Sequence, residues 1–167
     1  MSRRFYLVNL LLLVSLFIYM FYRTEKTVVN EIVIRIISLD NYLLIKQTVM
    51  QLLPLNKLLI YSVPEGLWVF CITLTSKPYY IQQGYLRINC VVVPIICCIG
   101  LELLQLLHLT NGRFDLMDIL ISILCWSLAN YFFKYEGEKQ NILQPLNLSS
   151  MACLASYGIV YLAHVLR

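Results

Sequence analysis

Five apolar stretches, each close to the length that crosses a lipid bilayer, limit what this chain can fold into. Phe5 to Tyr22 holds 18 residues and no charge, and a helix of ~20 apolar residues spans the hydrocarbon core. Leu58 to Thr75, Ile88 to Leu109, Leu116 to Phe133 and the more weakly marked Leu148 to Leu166 follow. In lipid, every backbone N–H and C=O must find its partner inside the protein, so each stretch is expected as a helix. Composition points the same way. Of 167 residues, 60% are hydrophobic and only 13% charged, where a soluble domain carries roughly 25% charged residues. The expected fold is all-α. It is one polytopic integral membrane domain over residues 1–167, with about five transmembrane helices (four to five) and the lipid bilayer as its first partner.

The connecting segments refine this picture. Arg23 to Lys57 is the one long stretch that does not span. Apolar pairs such as Val33-Ile34 and Ile36-Ile37 alternate there with Glu31, Arg35, Asp40 and Lys46. This near-helical spacing predicts one or two amphipathic helices along the membrane surface, while the β-branched content leaves a short pair of strands open. Arg3 and Arg4 before an apolar run also suit a signal peptide. The run ends in bulky Tyr19-Met20-Phe21-Tyr22, however, so it reads as a retained helix. Ser62-Val63-Pro64-Glu65 has the spacing of a capping box and predicts a helix start near Val63. Pro94 and Gly100 predict a kink in the third helix. Lys77 to Arg87 and Tyr135 to Asn147 read as polar connections. The basic residues of the short loops (Lys77, Arg87, Lys134, Lys139), with Arg3 and Arg4, put the N-terminus in the cytoplasm and the C-terminus outside, although the long stretch opposes this.

Polar residues inside apolar segments are costly and mark functional positions. Glu102 and Gln105 are three apart and share a helix face. A short turn, Thr110-Asn111-Gly112-Arg113, leads to Asp115 and Asp118, again three apart. Helices joined by so short a turn are antiparallel neighbours. Spacing and topology thus predict one polar cluster of Glu102, Gln105, Arg113, Asp115 and Asp118. Glu65 joins from the preceding helix, and Ser122 extends the Asp118 face by one turn. Asp115 also fits an N-cap, with Asp118 as its N3 acid. Arg113 is expected to pair bidentately with one of the carboxylates.

Several classes are excluded or left without support. There is no metal-spaced His/Cys set, no serine with a matched base and no Gly-rich phosphate loop, so no metal or cofactor is expected. The six cysteines all lie in apolar segments and read as small buried hydrophobes. The net charge of +4 is scattered near helix ends, which is not a nucleic-acid footprint. The sequence does not set an oligomeric state.

The pattern Glu102-x-x-Gln105, then Arg113-x-Asp115-x-x-Asp118, resembles the VanZ-like membrane proteins over roughly residues 59–133. It departs from that family at Ser122 and Cys125, where asparagine and glycine are frequent. The resemblance implies a small multi-pass protein of the bacterial cytoplasmic membrane, linked through the family's namesake to resistance to the glycopeptide teicoplanin. It implies no mechanism. The residues themselves support a non-enzymatic reading, in which the cluster binds a small ligand, a lipid headgroup or a cell-envelope precursor at one membrane face. The alternative is a small membrane enzyme using Glu102 or Asp118 as acid/base on a lipid-linked or cell-wall substrate.

Overall fold

The computed structural model describes residues 3–23, 28–110, 113–144 and 146–165. The chain is mostly helical, with seven α-helices and a small three-stranded sheet among the described residues. It divides into two compact units, Met1–Glu65 and Gly66–Arg167.

The first unit holds α1 (Arg3–Tyr22), α2 (Val28–Ile37), α3 (Leu39–Leu52) and the first turns of α4 (Lys57–Ser76). The stretch after α1 forms two helices, not strands. They break at Ser38, whose φ of 71° lies in the left-handed region. Tyr42 of α3 is 1% exposed, and its hydroxyl donates to the Met20 carbonyl of α1 at 2.6 Å. Lys46 donates to Arg23 O at 2.9 Å. The first bond serves one of α1's last carbonyls, which have no partner within the helix, and the second holds the residue that follows it.

The start of α4 differs from expectation. Asn56, not Ser62, caps it, and the Asn56 Oδ1 accepts the Leu59 N–H at 2.9 Å. Ser62 is buried inside the helix and Pro64 lies in its second turn. An Asn is as good a cap as a Ser, so the Ser-x-x-Glu spacing had an equal rival upstream. Proline removes the bond to the carbonyl four residues back, here Ile60. The next carbonyl, of Tyr61, takes a hydrogen bond from the Arg23 guanidinium at 2.8 Å. That guanidinium also lies over the Tyr61 and Tyr19 rings at 4.8 and 5.0 Å, so a cation tethers the chain where proline weakens it.

The second unit corrects the all-α expectation. Lys77 to Arg87 is not a plain connection. Tyr79–Gln83 forms β1 and Leu86–Asn89 forms β2, antiparallel, around Gly84 with φ 60°. A two-residue hairpin turn requires such a positive φ, which glycine adopts freely. Gln140–Asn141 adds β3, parallel to β1, through Gln140 N to Pro78 O and Ile142 N to Tyr80 O. Under the sheet, Tyr79, Cys90, Ile142 and Cys153 form a buried cluster. The six cysteines form no disulfide among the described residues, and Cys71, Cys90, Cys98 and Cys153 are buried.

A single 3₁₀ turn, Cys90–Val92, leads into α5 (Val93–Leu106), and α6 (Leu116–Phe132) and α7 (Leu148–Val165) follow. Pro94 occupies the first turn of α5, where a missing N–H costs nothing, so it starts the helix and makes no kink. α5 ends earlier than Leu109. His108, at φ 56°, takes the left-handed position, with His108 N bonded to Gln105 O and Leu109 N to Leu104 O. This is the paired Schellman arrangement that closes helices. Asn147 and Ser150 cap α7 reciprocally, at 2.9 and 2.8 Å.

α4 and α6 run in the same direction in this unit. A methyl group at Gly66 would stand 2.6 Å from Ile121 Cγ2 and 2.9 Å from Cys125 Sγ. Gly66 thus supplies the room that the bulky Cys125 takes. At the far end, Lys77 donates to the Asn130 and Phe133 carbonyls that α6 leaves open. Trp126 ties α6 to Val91 O at 2.8 Å. Gly66→Leu is predicted to lower stability by about 1–3 kcal/mol through overpacking. Gly100→Ala meets nothing within 4 Å and should be neutral or stabilising by up to ~1 kcal/mol. Denaturant unfolding of the purified chain, followed by circular dichroism, checks both.

Candidate functional site

Two helix ends build the site. Glu102 and Gln105 lie on the buried face of α5 with Cys98, at 2% and 8% exposure. Their spacing of four and three residues keeps them on one face. Gly100 and Leu104 lie on a different face and line an apolar cavity of about 420 Å³ with Trp68 and Tyr157.

Asp115 starts α6. Its backbone is extended, and its carboxylate accepts the Met117 N–H at 2.9 Å, as an N-cap does. In a capping box, the N3 acid would turn back to take the N-cap N–H. Here Glu102 takes that role from the neighbouring helix. Its Oε2 accepts the Asp115 N–H at 3.0 Å. A hydrogen bond to an ionised acceptor is among the stronger kinds. It satisfies a donor that α6 would otherwise leave open and fixes the end of α5 against the start of α6.

Asp118, at N3, is only partly buried. One of its carboxylate oxygens lies within 4.8 Å of one from Glu102. Two carboxylates this close repel unless a proton or a cation lies between them. Ser122, one turn further along α6, is fully buried, and its hydroxyl has no hydrogen-bond partner among the described residues. A hard cation takes six or more oxygens, of which two carboxylates supply only some and waters commonly supply the rest.

The structure therefore brings together Glu102, Asp115 and Asp118, with Gln105 and Ser122 on the adjoining faces. Arg113 differs from expectation. It is exposed, and among the described residues it makes no ion pair with Glu102 or Asp115. Asn111 and Gly112 of the expected turn lie outside the described residues. Glu65 is partly buried within α4, past the helix start rather than at a cap, as the last residue of the first unit. Sequence reasoning missed Lys77 as a helix-capping cation. Its only signal was a basic residue at the end of an apolar run, which also describes a topology marker.

Glu102→Leu leaves the Asp115 N–H without its acceptor and should cost about 1–3 kcal/mol. Glu102→Gln keeps an acceptor oxygen and should cost less. Asp115→Ala should cost about 1 kcal/mol through the lost cap. Unfolding free energies of the three variants under one set of conditions test this order.

Compared with known proteins, the chain matches no protein-family model, no curated protein and no solved structure.

Proposed function

We propose that this chain is a VanZ-like multi-pass protein of the bacterial cytoplasmic membrane. In this reading, the Glu102–Asp115–Asp118 cluster binds a small ligand or lipid headgroup at one membrane face. The supporting observation is the polarity of α6, which is reversed relative to a water-soluble helix. Its outer side carries Leu116, Leu120, Leu124, Leu128 and Tyr131, all exposed, while Ser122 and Ala129 are its buried residues. An exposed apolar stripe of this kind marks a surface that meets lipid or a partner. Among the described residues, Lys57–Ser76 is the one helix long and apolar enough to cross a membrane, and three shorter apolar helices accompany it.

Five spans then correspond to α1, α4, α5, α6 and α7, with the short basic loops in the cytoplasm and the cluster on the outer side. A ligand for this site would bring positive charge or hydrogen-bond donors, because the cluster offers three carboxylates and, among the described residues, no arginine paired with Glu102 or Asp115. The acid/base alternative has less support, since Glu102 already holds the Asp115 backbone in place.

Single cysteines at Thr110 and Asn141, in a background without native cysteines, test the topology. Thr110→Cys should react with an impermeant maleimide in intact cells, and Asn141→Cys only after permeabilisation. In a teicoplanin-susceptible bacterium, the wild-type chain should raise the inhibitory concentration. The Glu102→Gln/Asp118→Asn double variant, at equal membrane level, should not. Labelling of both cysteines from one side, or full effect in the double variant, would overturn the reading.

A further inference from the structure

A second polar site lies at the opposite end of α6, about 25 Å from Asp115 at 1.5 Å per residue. There the C-terminal ends of α4 and α6 and the sheet border an open cavity of about 210 Å³, several times the ~30 Å³ share of one water. Its wall carries two lysines, Lys77 and Lys139, two side-chain amides, Asn89 and Asn130, and the ring of Tyr135. No carboxylate lines it among the described residues. Glu136 and Glu138, in the same loop as Lys139, are exposed and are not part of the wall.

The cations are held in place. Lys77 is 6% exposed and anchored on the last carbonyls of α6. Lys139 donates to Asn89 Oδ1 at 2.9 Å. With its oxygen engaged, the Asn89 amide keeps its NH₂ group as a donor. The sheet fixes this geometry, because Lys139 directly precedes β3 and Asn89 ends β2, and both strands pair with β1. Val91, whose carbonyl binds Trp126, and Val92 give the cavity an apolar side.

We propose that this cavity binds a phosphate-bearing anion. Lys139 and the two amides supply charge-assisted and neutral donors to phosphate oxygens, and Lys77, engaged with the last carbonyls of α6, adds positive charge beside them. The valine side suits the carbon next to a phosphate ester. The anion is either a lipid headgroup, which the basic end of a membrane protein would meet, or free phosphate. The site uses none of the residues of the carboxylate cluster, so its test stands apart from that reading.

The purified full chain in a non-ionic detergent is titrated by calorimetry with inorganic phosphate and, separately, with dihexanoyl phosphatidylglycerol. Chloride at matched ionic strength is the reference. At least one probe should bind more tightly than chloride. Lys139→Gln, an exposed position whose fold circular dichroism verifies, should weaken that binding roughly tenfold, the loss of one charge-assisted hydrogen bond. Lys139→Arg should restore most of it. Binding of phosphate alone identifies a free anion, and binding of the lipid alone identifies a headgroup. Both probes failing to exceed chloride, or Lys139→Gln binding as the wild type does, would overturn the proposal.

Discussion

The hydrogen bond from the Asp115 N–H to Glu102 Oε2 is the constraint on which the second unit's helix pair depends. A helix start leaves several N–H groups without partners, and water or the helix's own side chains usually serve them. Here an acid from the neighbouring helix does so. The bond makes two helix ends into one structure, because neither α5's buried carboxylate nor α6's first donor is satisfied alone. Glu102 is nearly unexposed, so its carboxylate depends on partners within the protein.

The rest of α6 follows from that anchor. With its start fixed, the helix turns Ser122 and Ala129 inward and a stripe of leucines outward. Gly66 admits Cys125, Trp126 reaches Val91 O, and Lys77 closes the last turn. The two ends have opposite character, with carboxylates at the start and lysines at the finish. This complements the helix dipole, whose positive end favours acids and whose negative end favours cations.

Local rules made part of this legible in sequence. Asp115 before an apolar run reads as a cap, and the three-residue spacing of Glu102 and Gln105 places them on one face. What escaped depends on competition or distance. Asn56 and Ser62 are rival caps, and spacing does not choose between them. Pro94 has opposite meanings in the first turn and in the middle of a helix, so an error in where α5 begins reverses its role. The sheet was hidden because β3 is only Gln140–Asn141 and pairs with a strand far away in the chain. Arg113 was assigned a pair by charge alone, whereas its side chain is exposed.

Amide hydrogen exchange at Asp115 tests the central bond most directly, residue by residue in the full chain. The account predicts strong protection of this amide in the wild type and its loss in Glu102→Leu, while amides in the middle of α6 stay protected. An Asp115 amide that exchanges in the wild type as fast as an open helix-start donor would contradict it.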